Sequence, residues 1–409
     1  MNPSAAQPPT SAGTPSLSVR TLRSFEEVEE LRGVWEEWQT HPNSDIDFYL
    51  SRFHVRPEFL QPCVIVVCRD ACPETILVGR TDDLRMDLKI GYIHLPRPRV
   101  RAVSVLYSGL LGNQSVENSK LIITEIMRLL RQGEVDLASF SNLRVDSPIY
   151  DLATKLPGVM SRHHFPVVDL HCSMTLPSSL DDIYRGLTPK HRSHIKRQAR
   201  QLLNDQALSA QISCFRGTDE VDRMIRDVED VARKTYQRGL GVGFVDNVEM
   251  RERLGLAARK GWLRSYVLYL ANQPCAFCVG TLYGGTYYTD FVGYNPIYAK
   301  YRPGTFLLMR MLGEFCSEGV KQVDFGYGVE EYKQRFGNCK WHEAMVTIYA
   351  PTARSLGLKV VVTLTLLIDH CARKTLERIK VLPRLKRFWR KHVTNRGTAA
   401  PQDETEAEQ

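Results

Sequence analysis

From Tyr288 to Gly337 the chain reads YTDFVGYNPIYAKYRPGTFLLMRMLGEFCSEGVKQVDFGYGVEEYKQRFG, and no other stretch constrains the fold as much. Tyr287 to Gly293 is rich in aromatic and β-branched residues and predicts a strand. A loop follows, closed by Arg302-Pro303-Gly304-Thr305. Phe306 to Glu318 carries Leu308, Met311, Leu312 and Phe315 at helical spacing. Gly319 stops that helix, and Val320 to Phe325 reads as a short strand. The predicted order is strand, glycine turn, helix, strand.

A helix that opens on Pro-Gly-Thr leaves its first N–H groups without intrahelical partners, at the positive end of the macrodipole. Gly304 has no Cβ, so a diphosphate can approach the backbone, and Thr305 adds a hydroxyl donor. Arg302 before the turn, and Lys333 and Arg335 after the next strand, supply full charges. Phe306 completes the candidate donor-binding set. Taken alone, such a start is more often plain capping; the surrounding string shifts the balance toward phosphate binding.

The pattern Tyr-x-Asp, then Tyr-x-x-x-Arg-Pro-Gly-Thr-x-Leu-Leu, a helix, and Gly-x-x-x-x-Asp-Phe-Gly-x-Gly-x-x-x-Tyr-Lys-x-x-Phe-Gly resembles the CelD-type acetyltransferase family associated with cellulose and exopolysaccharide biosynthesis. That family lies in the GNAT superfamily and is related to the Fem-type peptidoglycan aminoacyltransferases. The resemblance covers about fifty residues closely and extends weakly from Phe25 to Ala350. It implies tandem GNAT-like domains and an acyl-CoA co-substrate rather than a tightly bound cofactor. It further implies a glycan or small-molecule acceptor and a donor-holding role for Lys333.

The rest of the chain fits two folding units. Residues 1–18 are rich in Ser, Pro, Ala and Thr and read as a disordered leader. Residues 19–165 give strand, glycine loop (Ser108 to Asn113), helix and strand again, so that Val135-Asp136-Leu137 parallels Val323-Asp324-Phe325. This first copy has no Lys or Arg in its glycine loop, so its phosphate cradle reads as lost and the unit as a wall for the acceptor. Residues 166–350 form the acyltransferase domain. They include a basic helix with Lys190, Arg192, Lys196, Arg197 and Arg200, and a long amphipathic helix capped by Asp219. Gly239 to Gly243 reads as a flexible loop near substrate.

Residues 351–393 form a basic helical tail, for which a helix packed across the domain is favoured over one lying on an anionic membrane surface through 354–393. Residues 394–409 read as disordered. The net charge of +8 is modest, and with no apolar block long enough to span a bilayer the expected location is cytoplasmic or peripheral to the inner membrane. Ten scattered cysteines read as thiols, and neither Cys275/Cys278 nor His191/His194 completes a metal site.

Acyl transfer needs a held donor, a base for the nucleophile and donors for the oxyanion. Asp290 and Asp324 are the candidate bases. Asp290 lies between the aromatic Tyr288 and Phe291, which predicts a raised pKa. Tyr294 or Tyr298 is the candidate acid for the leaving thiolate. No G-x-S-x-G, Walker loop or H-E-x-x-H occurs, which favours direct transfer in a ternary complex. The resulting expectation is an α/β protein with two tandem GNAT-like domains, mixed central sheets flanked by helices, and a C-terminal basic helix. It would be a GNAT-type N- or O-acyltransferase that moves an acyl group, acetyl first, from acyl-CoA to an amine or hydroxyl of a polysaccharide or its precursor. The alternatives are Fem-like aminoacyl transfer from charged tRNA and a non-catalytic binding protein of the same fold.

Overall fold

A computed structural model describes residues 16–86, 88–90, 93–239, 243–328 and 330–378. Most of the expected leader, the centre of the Gly239–Gly243 loop and the tail beyond 378 lie outside these residues. Fifteen strands form: β1 (Leu17–Leu22), β2 (Phe59–Pro62), β3 (Val64–Arg69), β4 (Cys72–Arg85), β5 (Lys89–Ile90), β6 (Ile93–His94), β7 (Arg99–Gly112), β8 (Leu137–Arg144), β9 (Val168–Thr175), β10 (Gln211–Phe215), β11 (Leu263–Leu270), β12 (Gln273–Tyr283), β13 (Thr286–Tyr294), β14 (Gln322–Tyr327) and β15 (Cys339–Tyr349). Thirteen of them make one mixed sheet in the order β1-β3-β4-β7-β8-β15-β9-β14-β13-β12-β11-β10, with β2 paired to β4; β5 and β6 pair separately.

The expected unit appears twice. In the first half β7, the helix Val116–Arg131 and β8 follow one another in the same order as β13, the helix Pro303–Glu318 and β14 in the second, and along the sheet the two strand pairs run in opposite order, β7-β8 and β14-β13. Each pair of strands is parallel and short: β7 meets β8 from Ala102↔Leu137 to Val105↔Phe140, and β13 meets β14 from Thr286↔Gln322 to Tyr288↔Asp324. Beyond these registers the strands part, and a notch opens at the end of each pairing. The two halves are joined by β15, which pairs with β8 along Glu343–Tyr349 and with β9 along Cys339–Ala344. The last strand thus closes both units and joins their mixed sheets into one.

Helices cover the faces as their patterns dictate. The helix Val221–Ala232 buries Val221, Met224, Ile225, Val228, Val231 and Ala232 in one stripe against β11 and β12. Pro303–Glu318 buries Phe306, Leu307, Met311, Leu312 and Phe315 on the other face, together with Ile195 and Leu202 of the basic helix Pro189–Asn204. Each fully buried large side chain contributes roughly 1.5–3 kcal/mol relative to exposure.

Several local expectations change. The helix expected over Phe25 to Gln39 breaks at Leu31 into Phe25–Glu30 and Arg32–Trp38, and a further helix, Ile46–Val55, is capped by Asp45. Ser108 to Asn113 is not a loop. There β7 continues to Gly112 through a bulge, Leu106–Gly109, in which Ser108 has φ 55°. Asp219 sits inside a short 3₁₀ turn, Thr218–Glu220, and the helix begins only at Val221.

Candidate active site

The second notch opens beside Asp324, the last residue of β14 paired with β13. On β9, His171 and Ser173 lie on one face; on β15, Trp341 and Glu343 lie on one face, because side chains alternate along a strand. Register places Asp324 opposite Ser173 and Trp341 opposite His171. The His171 ring therefore sits between carboxylates carried by the strands on either side. Nε2 donates to Asp324 Oδ1 at 2.7 Å and Nδ1 to Glu343 Oε2 at 3.1 Å. Trp341 stacks on the imidazole with centroids 4.3 Å apart.

Burial pushes the imidazole toward neutrality, but its hydrogen bonds to Asp324 and Glu343 outweigh that effect and raise its pKa to about 9. Glu343, buried, also accepts from Trp341 Nε1 at 2.7 Å and from the Tyr107 hydroxyl at 3.1 Å. Asp324 Oδ1 accepts a second bond from the Gly326 N–H at 2.7 Å. Its other oxygen has no hydrogen-bond partner among the described residues, and 12% of the side chain is exposed. Two carboxylates around one imidazolium leave a single negative charge in excess.

The first half supplies the opposite wall. Tyr107 comes from the β7 bulge, just past the point where β7 and β8 part. His41 precedes the 3₁₀ turn Pro42–Ser44, and its ring lies edge-on to Tyr107 (4.9 Å) and Tyr288 (4.4 Å). Tyr288 in turn donates to the Thr40 carbonyl at 3.3 Å, and Tyr283 donates to Asp45 at 3.1 Å. Burial drives the pKa of His41 down to about 3, so the ring is neutral. Since Nδ1 accepts the Asn43 N–H at 3.0 Å, the proton resides on Nε2, which has no protein partner among the described residues.

Of the residues read from sequence as chemical, Asp324 alone lies in this cluster. Asp290 is the extra residue of a bulge in β13, between the pairs Val279↔Phe291 and Gly280↔Thr289. Its carboxylate is in an ion pair with Arg253 and accepts from the Thr281 hydroxyl at 3.2 Å. An arginine partner, rather than an aromatic box, thus defines its surroundings. Tyr294 is 43% exposed at the far end of β13, beside the start of the helix Pro303–Glu318.

At that helix start Arg302 adopts a left-handed conformation (φ 51°, ψ 51°) that turns the chain out of the 3₁₀ stretch Pro296–Tyr301. The N–H groups of Thr305 and Phe306 both donate to the Arg302 carbonyl, and Pro303 has none, so the orphan donor of the first turn is Gly304. The Thr305 hydroxyl makes no bond within the protein among the described residues, and Arg302 is exposed. A Cβ at Gly304 would meet only Tyr294, at 3.7 Å, so the space over this backbone is otherwise open. Beside the turn is a cavity of about 180 Å³ lined by Arg302, Thr305, Phe306, Arg310, Tyr184 and Ile195. Phe306 is buried and offers a wall, with Arg310 against its ring.

Lys333 and Arg335 do not line that cavity. Lys333 is 9% exposed, donates to the Tyr327 carbonyl at 2.5 Å and pairs with Glu330 at 3.2 Å; Arg335 pairs with Glu331. Among the described residues, none of Lys190, Arg192, Lys196, Arg197 and Arg200 on the neighbouring helix pairs with a carboxylate. The sequence reading missed His171, Glu343, Tyr107, Trp341 and His41. No local motif marks them, for His171 meets its carboxylates across separations of 153 and 172 residues.

Residues 189–334 match the acetyltransferase (GNAT) domain family. The match runs from the basic helix to the helix after β14, contains the Arg302–Thr305 turn and Asp324, and supports a GNAT-type acyltransferase. No curated protein matches the chain in sequence. Among solved structures, the crystal structure of FemX superimposes with a TM-score of 0.53 at 9% identity, covering 81% of this chain and 97% of FemX. The C-terminal domain of a putative lysylphosphatidylglycerol synthetase from Agrobacterium fabrum follows with a TM-score of 0.48 at 10% identity, covering 83% and 96% of the two chains. A tandem GNAT protein from the clavulanic acid biosynthesis pathway gives a TM-score of 0.45 at 10% identity, covering 83% of this chain and 100% of its own. The FemX likeness establishes the shared fold across both halves.

Proposed function

We propose that the protein transfers an acyl group, acetyl in the first instance, from acyl-CoA to a primary amine held between the two halves. The observation that carries this reading is Asp324, a carboxylate at the base of the notch with one oxygen tethered and one free. The excess negative charge of the His171–Asp324–Glu343 cluster attracts an ammonium group and would not select a neutral hydroxyl. Asp324 Oδ2 takes a proton from that ammonium, and the freed amine attacks the thioester carbonyl carbon. The carbon–sulfur bond then breaks, and the leaving thiolate takes the second proton shed by the nitrogen, so that the products are the amide and CoA thiol. The Nε2–H of neutral His41 is a donor available to the developing oxyanion. Asp290, already paired with Arg253, would orient rather than deprotonate the acceptor.

The donor's diphosphate would meet the Gly304 N–H, the Thr305 hydroxyl and Arg302, three groups at one helix start with no competing partner among the described residues. The cavity there is smaller than the ~300–1,000 Å³ of sites that enclose whole ligands. The rest of the donor would lie along the edge of β13 beyond Tyr288, where β14 no longer pairs with it. The amino sugar of a polysaccharide or its precursor is the acceptor suggested by the resemblance of the Tyr288–Gly337 stretch.

A second reading, aminoacyl transfer from charged tRNA, is favoured by the cations of Pro189–Asn204, which pair with no carboxylate among the described residues, since phosphate contacts dominate nucleic-acid affinity. Titration with acetyl-CoA and with charged tRNA separates the two. Gly304→Val should weaken acetyl-CoA binding tenfold or more, about 1.4 kcal/mol, in a protein that melts like the parent. Unchanged affinity for acetyl-CoA, or salt-sensitive tRNA binding with none to CoA thioesters, would overturn the first reading.

A further inference from the structure

The helix Ala353–Arg378 is apolar on two opposite faces, and the fold uses one of them. Leu358, Val362 and Thr365, at i, i+4 and i+7, face inward: Leu358 packs against Val100, Ala102, Leu137 and Tyr349, and Thr365 is buried. Val360, Val361, Leu364, Leu367 and Ile368 follow the same periodicity on the other side and are each 44–55% exposed. A surface helix normally turns charged residues to that side.

The outward face does not end at the helix. The Lys359 ammonium donates to the carbonyls of Val159 (3.1 Å) and Met160 (2.8 Å), which fastens the loop before β9 alongside. Val159, Met160, Phe165 and Val167 of that loop are all more than half exposed. A shallow cavity of about 370 Å³, bounded by Met160, Leu356, Val360 and Leu364, joins the two surfaces. The result is one continuous apolar patch, of a kind that soluble monomers rarely leave bare.

We infer that this patch docks the protein on an anionic lipid surface. Charge selects that occupant: in the sequence, residues 373–391 hold nine Lys or Arg against one acid, with Phe388 and Trp389 among them. Apolar insertion plus a polybasic segment is the two-signal arrangement that gives stable but reversible attachment. A second copy of the chain would have to bring two such basic segments together. Among the described residues no helix is long and apolar enough to cross a membrane, so the helix lies on the surface and does not span it. The inference stands apart from the acyl-transfer reading, since none of its residues touches the notch.

Sedimentation of the full chain with vesicles tests it. Vesicles of phosphatidylcholine and phosphatidylglycerol should bind the protein at least about tenfold more tightly than pure phosphatidylcholine, and less so as salt rises. The double variant Leu364→Asp/Leu367→Asp, placed on exposed positions, should lose most of that binding and melt at the parent temperature. No binding to the mixed vesicles, or equal binding by the double variant, would overturn the inference. So would light scattering that shows a dimer which the double variant splits, since the patch would then belong to a second copy.

Discussion

A histidine with a carboxylate on each ring nitrogen is held as an imidazolium, and its charge is part of the fold. The pKa of His171 is raised from 6.5 to about 9, so the stabilisation it contributes is complete below about pH 6.5 and is lost as pH rises through 9. Denaturant-unfolding stability should therefore decline across that window, by up to about 3 kcal/mol for a shift of this size. His171→Gln offers one amide NH2 group and no charge, so its profile should lose this component and lie below the parent in the acid part of the window. A profile with the parent's slope in His171→Gln would show that the imidazole does not carry the charge assigned to it. His41, 4.4 Å from Tyr288 by ring centroids, has its pKa driven down by burial, so it lowers stability only as pH falls through about 6.5, where the unfolded imidazole gains a proton.

At the scale of elements, the turn after β14 governs where Asp324 points. Gly326 (φ 73°) and Gly328 (φ 122°) take backbone conformations closed to most side chains, and the Gly326 N–H ties down Asp324 Oδ1. Lys333 reaches back from the helix Glu331–Phe336 to hold the Tyr327 carbonyl of the same turn. Lys333→Ala should accordingly lower kcat severalfold and leave the KM for acetyl-CoA near its parent value. A rise in that KM with kcat unchanged would return Lys333 to the phosphate-holding role its position in the sequence first suggested. Local order was legible in the sequence wherever neighbours in the chain are neighbours in space. The apolar stripe of Val221–Ala232, the helix stop at Gly319 and the meander β11-β12-β13 all follow from short-range periodicity and turn residues. The β7 bulge was not legible, because Ser108-Gly-Leu-Leu-Gly carries loop residues that pairing with β4 holds in a strand.

For the whole molecule, the decisive element is β15. Its Val346 and Ile348 fill the core of the first half, and its Trp341 and Glu343 complete the cluster around His171 in the second. The last strand of the fold therefore fixes how the two notches face one another. That is why the centre of the site could not be read from the chain: Asp324 stood out beside its glycine turn, whereas His171 and Glu343 look like ordinary strand residues until β9, β14 and β15 lie side by side. We propose the free oxygen of Asp324, at the floor of this seam, as the base for acyl transfer. Release of CoA thiol from acetyl-CoA in the presence of an amine acceptor, compared for Asp324→Asn and Asp290→Asn, tests it most directly. Asp324→Asn should lose kcat by roughly 10² to 10⁴ while still binding acetyl-CoA, and Asp290→Asn should lose much less. Near-full turnover by Asp324→Asn, with the loss falling on Asp290→Asn, would contradict it.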